Sequence, residues 1–93
     1  MIKIKKTNRD LERIVKGFAN HKRIEILFLL KKEPELSLRE ISDRLKSDFK
    51  NVSVHIGKMQ IAGLLTKKNR GNMVCHKLTN RGKGILQFVR IIE

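Results

Sequence analysis

Apolar residues recur at helical spacing almost from the start of this chain. Leu11, Ile14, Val15 and Phe18 fall at i, i+3, i+4 and i+7, which predicts a helix over Asn8–Ala19. Asn20 offers an N-cap side chain to a second helix, His21–Lys32. That segment is apolar nearly all round (Ile24, Ile26, Leu27, Phe28, Leu29, Leu30), the pattern of a buried central element, and Pro34 ends it. Ser37-Leu-Arg-Glu40 has capping-box spacing and opens a third helix, in which Leu38, Ile41 and Leu45 step by three and four. Asp48 can cap a fourth, Phe49–Ala62, and Gly63 stands where a left-handed residue closes a helix.

The period then changes. Leu64–Lys68 and Met73–Leu78 read as two strands joined by Asn69-Arg-Gly-Asn72, a stretch rich in residues that tolerate positive φ. Thr79 can cap a last helix, Asn80–Ile92, with Ile85, Phe88, Val89 and Ile92 on one face. The predicted architecture is mainly α with a small β-hairpin: a single domain over residues 1–93, ordered helix, helix, helix, helix, hairpin, helix. Two short helices joined tightly and followed by a hairpin make a winged helix-turn-helix. Residues 37–63 form the motif, 64–79 the wing and 80–92 the closing helix.

Charge changes the picture from fold to partner. Twenty-two Lys and Arg against nine Asp and Glu give a formal net charge of +13, a field that attracts polyanions, nucleic acid first among them. The charge is uneven: residues 33–46 carry four acids and three bases, whereas residues 64–93 carry seven bases and one acid, as a docking face would. No lipidation motif or membrane-length apolar run points to a bilayer partner. The first residues lack the apolar core of a signal peptide, and one cysteine, Cys75, cannot form an internal disulfide; a cytoplasmic location is expected. No Gly-x-Ser-x-Gly elbow or phosphate-cradling glycine loop accompanies Ser37, Ser42, Ser47 and Ser53, so no enzyme is expected.

Three stretches together carry a resemblance: His21-Lys-Arg-Ile-Glu-Ile-Leu27, Leu36-Ser-Leu-Arg-Glu-Ile-Ser-Asp-Arg-Leu45, and the run from Asn51 through Val52-Ser-Val-His-Ile56 to Ala62-Gly-Leu-Leu65. They resemble the ArsR-like winged-helix repressors. Thr79-Asn-Arg-Gly82 is similar to the handover from wing to last helix there and in MarR- and PadR-like relatives. The resemblance covers about residues 11–90. It implies an operator-binding homodimer whose first and last helices form the interface. The chain departs from the family pattern at His21, where a proline is usual, at Lys46-Ser47, where Gly-Leu is usual, and at Cys75 and His76, where tyrosines are frequent. Phe49 is the candidate to supply the apolar plug that Ser47 does not.

Residue chemistry then assigns roles. Winding the fourth helix at 100° per residue puts Phe49, Val52, Ile56, Met59 and Gly63 on the packed face and Lys50, Asn51, Val54, Gly57, Lys58 and Ile61 on the other. Lys50, Asn51, Ser53 and Val54 lie in the turns that reach base edges in this docking mode: Asn for adenine, Lys for guanine, Val for a thymine methyl. Lys58, Lys67, Lys68 and Arg70 are candidates for phosphate or minor-groove contact, or a solvated hairpin. His55, at the flank, suits a hydrogen-bonded supporting role better than base reading, and Arg23 a solvated first turn. Lys3, Lys5 and Lys6 form either a basic arm, within residues 1–7, or a loose terminus.

Leu11, Ile14, Val15 and Phe18, with Ile85, Phe88, Val89 and Ile92, give more apolar stripe than one small core absorbs, which predicts a dimer built from both helices. No cofactor or metal is expected: Ser37–Leu45 holds no Cys, Asn80–Glu93 no His, Asp or Cys, and strand neighbours Cys75 and His76 point to opposite faces. Cys75 reads more simply as a small buried hydrophobe than as a redox sensor. The sequence marks no effector site. The expected function is sequence-specific double-stranded DNA binding as a homodimeric repressor without metal sensing. The alternative is a winged helix that binds protein or RNA, or DNA without specificity.

Overall fold

The computed structural model describes residues 6–93. Lys3 and Lys5 of the expected basic arm lie outside the described residues. The elements run α1 (Asn8–Phe18), α2 (His21–Lys32), β1 (Leu36–Ser37), α3 (Leu38–Leu45), α4 (Phe49–Ile61), β2 (Leu65–Arg70), β3 (Met73–Leu78) and α5 (Asn80–Ile92). Each helix starts on a side chain that accepts from an orphan amide. Thr7 and Ser37 do so in complete capping boxes with Asp10 and Glu40, Asn20 accepts from the Lys22 and Arg23 amides, and Asp48 and Thr79 complete the set. Each such cap contributes about 1 kcal/mol.

The core forms where these helices meet. Ile26, Leu27 and Leu30 of α2 are buried with Ile41 of α3, Val52, Ile56 and Met59 of α4, and Leu86 of α5. α1 lies close on α4 through Gly17, where an added Cβ would collide with the Cβ of Ala62.

The sheet has three antiparallel strands in the order β1-β3-β2, one more than the expected hairpin. β1 is two residues long, pairing Leu36 with His76 and Ser37 with Cys75, and so lacks any local periodic signal. The wing is longer and its turn tighter than expected. Arg70 pairs with Met73, leaving Gly71 and Asn72 as the loop, and only Gly71 takes positive φ, +62°.

At the helix-turn-helix corner, Lys46 adopts the left-handed conformation (φ 49°, ψ 45°) that glycine takes most readily. For an L-residue this costs roughly 1–2 kcal/mol. Reciprocal bonds offset it: the Ser47 amide donates to the Ser42 carbonyl at 3.1 Å, and the Ser42 hydroxyl to the Ser47 carbonyl at 3.2 Å. Phe49 is not the plug expected there. It is 41% exposed, and its ring packs beneath the Arg39 guanidinium, 4.8 Å from the centroid.

Candidate nucleic-acid interface

Val52, Ile56 and Met59 anchor α4 in the core, and that fixes which side chains it presents outward. Lys50, Asn51, Ser53 and Val54 are all exposed within its first two turns, Val54 by 55%. Asp48 accepts from the Asn51 amide at 3.1 Å, so the start of the helix is held while the Asn51 side chain projects. A Cβ at Gly57 would meet nothing within 4 Å; the surface there is open. Lys58 is exposed, and so is Ile61, by 89%.

His55 has the supporting position expected of it. Its Nδ1 accepts from Arg23 Nε at 3.1 Å, and Arg23 also donates to the Lys16 carbonyl at 2.8 Å. Arg23 is therefore buried, 9% exposed, and ties α1, α2 and α4 together; the expectation of a solvated side chain fails. It was missed because the carbonyl it satisfies ends a different helix. Burial, then the Arg23 charge beside it, push the His55 pKa below its ordinary value.

On the wing, Lys67, Lys68 and Arg70 are all exposed, but two of them are engaged. Lys68 Nζ lies 3.0 Å from Glu35 Oε2, and an Arg70 guanidinium nitrogen 2.9 Å from Glu40 Oε1. Arg70 also reaches the Glu35 carbonyl at 3.5 Å. Among the described residues, Lys67 is the one member of this trio without a carboxylate within 4 Å. The Ser37 amide and then Arg70 hold the Glu40 carboxyl below its usual range. These acids belong to the segment of negative excess seen in the sequence, and they brace the wing against the N-terminus of α3.

Beneath the wing, Cys75 is fully buried and His76 is 5% exposed. They sit on opposite faces of β3, with Lys68 and Ser37 beside Cys75, and Lys67 and Leu36 beside His76. His76 Nδ1 has no partner among the described residues, and burial, then Lys67, lower its pKa. No group of three or more His, Cys, Asp or Glu is placed to hold a metal among the described residues.

The apolar stripes of α1 and α5 divide into two sets. Phe18 and Val89 belong to the chain's own core, and Ile14 and Ile85 pack partly against it. Leu11, Val15, Phe88 and Ile92 remain exposed by 47%, 49%, 49% and 66%. Ile91, outside the expected stripe, joins them at 75%.

A helix-turn-helix with a braced two-stranded wing and an exposed second helix is a winged helix-turn-helix. The chain belongs to the HVO_A0114 family, whose model matches residues 19–77, from the end of α1 into β3. Solved structures share the whole fold. PagR of Bacillus anthracis, a transcriptional repressor, is 25% identical, with 88% of this chain and 94% of that one covered and a TM-score of 0.77. HlyU from Vibrio cholerae is 24% identical over 96% of this chain and 97% of that one, with a TM-score of 0.78. Mb0332 from Mycobacterium bovis is 18% identical, covers 99% and 89%, and has a TM-score of 0.81. Its structure is described as a homodimeric winged helix-turn-helix DNA-binding domain of a possible ArsR-family transcriptional regulator. No curated protein matches the chain.

Proposed function

We propose that this protein is a transcriptional regulator that binds double-stranded DNA sequence-specifically as a homodimer, represses, and does so without metal gating. The observation that carries the reading is the outward face of α4: Lys50, Asn51, Ser53 and Val54, mixed in chemistry and all exposed at the start of a rigidly anchored helix. A uniform lysine face would serve phosphates alone; this one offers a bidentate amide, an ammonium, a hydroxyl and a methyl-packing surface to base edges. The net charge of +13 supplies the attraction to the duplex. Residues 37–63 act as the reading motif, 64–79 as the wing and 80–92 as a dimerisation helix.

Support for the regulatory role comes from the structural neighbours, a repressor and a homodimeric DNA-binding domain among them. Lys58 and Lys67 are the phosphate contacts most available in the free protein. Lys68 and Arg70 must first exchange Glu35 and Glu40 for phosphate. Metal independence rests on the donor set, since neither α3 nor α5 carries Cys or His. Selection from a random duplex pool tests the whole reading. Recovery of a palindromic motif is the expected result, and recovery of unrelated sequences would move the protein to non-specific binding or to another partner.

A further inference from the structure

Between α1 and the C-terminal half of α4 lies a groove of about 550 Å³. Small-molecule sites typically occupy roughly 300–1,000 Å³. The groove flanks the place where Gly17 meets Ala62, and Ile14 and Ile61 give it an apolar lining. Six of its eleven lining residues are Lys or Arg and one, Asp10, is acidic. Asp10 is committed: it accepts from the Thr7 amide in the capping box of α1. Two of the cations are also committed, Arg23 to His55 and Arg81 to the Ala62 carbonyl at 3.0 Å. Four remain at the surface, Lys6, Arg13, Lys16 and Lys58. Arg13 and Lys16 have only loose partners within α1, Asp10 at 3.8 Å and Glu12 at 3.6 Å, both well exposed and worth little.

A duplex phosphate would use the cations but not the isoleucines. Ile61, at 89% exposure, has no part in a phosphate contact, and a bare isoleucine beside several ammonium groups fits a ligand that is charged at one end and apolar along its body. We propose that this groove binds an amphiphilic organic anion, a medium-chain carboxylate, with its head group met by Arg13, Lys16 and Lys58 and its chain laid against Ile14 and Ile61. Binding itself does not rest on the DNA reading. One consequence does: Lys58 belongs to α4, so an anion held there neutralises a cation of the helix proposed to face DNA.

The test is a titration of the full chain with decanoate, followed by backbone amide NMR shifts without DNA. Saturable binding of one decanoate per protomer in the submillimolar range is expected, with shifts centred on residues 10–17 and 58–62. Decanol, which lacks the charge, and inorganic phosphate, which lacks the chain, should each bind about tenfold more weakly or less. Lys16→Glu and Ile61→Asp alter exposed positions, so the fold survives, and each should weaken decanoate about fivefold or more. Lys32→Glu makes the same charge change on α2, away from the groove, and should leave binding unchanged. Decanol binding as tightly as decanoate, an equal loss in Lys32→Glu, or no saturation at all would overturn the proposal. A loss of DNA affinity in the charge variants with decanoate binding intact would also overturn it, because the cations would then serve the duplex.

Discussion

Asn51 has its backbone amide held by Asp48 and its side chain in solvent, so truncating it removes a contact surface without removing a structural bond. Asn51→Ala should cost roughly 1–3 kcal/mol on the selected operator and little on random duplex. Filter binding on both DNAs checks this; equal losses on the two would mean that α4 does not read sequence. Half-buried His55 and buried His76 make a separate case. Both have pKa values lowered by burial first and neighbouring positive charge second, so folding favours the neutral form of each. Below the ordinary value of 6.5, the unfolded chain takes up protons that the folded chain resists, and stability falls as pH falls. Above it the stabilisation is fully present. Protonation of His55 at Nδ1 would also turn the acceptor of the Arg23 bond into a second cation. Thermal melts should therefore drop between about pH 7 and pH 5. The fall should be much smaller in a His55→Gln, His76→Leu double variant, and an unchanged slope in that variant would place the acid sensitivity elsewhere. Roles of this kind were half legible in the sequence. The helical wheel put His55 at the flank, but its partner Arg23 stands 32 residues away, and only folding brings the two side chains within reach.

The helices were legible because their signals are local: caps at Asn20, Ser37, Asp48 and Thr79, and apolar steps of three and four between them. Features defined by distant pairing were not. β1 exists only because Leu36 and Ser37 meet β3 some forty residues on, and the engagement of Lys68 and Arg70 depends on acids from that same junction. Such exposed pairs add little stability, yet they set which cations are available to a polyanion. Glu35→Gln should therefore leave the melting temperature nearly unchanged while raising affinity for random duplex at low salt. If the released Lys68 reaches one phosphate, the salt dependence should steepen by about 0.9 per protomer. Lys67→Ala should make it shallower by a similar amount. Identical salt slopes for wild type and both variants would remove the wing from the interface. The α1–α4 crossing is constrained by packing instead. Gly17→Ala forces a methyl against Ala62, and destabilisation of about 1–3 kcal/mol is expected from chemical unfolding.

A chain that carries +13 repels its own copies, so any self-association must be driven by apolar contact strong enough to overcome that field. The structure supplies a candidate surface narrower than the sequence stripe implied. Once Phe18, Val89, Ile14 and Ile85 are assigned wholly or partly to the protomer core, Leu11 and Val15 of α1 and Phe88, Ile91 and Ile92 of α5 remain uncovered. Covering what remains exposed of each such side chain contributes about 1–2 kcal/mol, and a two-fold axis uses every one of them twice. The same axis would set two α4 helices about 34 Å apart, one turn of B-DNA, which turns a single modest reading face into a palindrome reader. Sedimentation at micromolar concentration should accordingly show a species of twice the 10.8 kDa chain mass. Phe88→Asp and Val15→Asp change positions that are half exposed in the protomer, so helical content should be kept. Each should weaken dimerisation about a hundredfold and lower operator affinity with it, while affinity for random duplex falls much less. Lower salt should weaken the dimer as well, because screening of like charge fades. A wild-type protein that sediments as a 10.8 kDa species while still selecting a palindrome would show that pairing occurs only on DNA, and one that selects no palindrome would remove the dimer altogether.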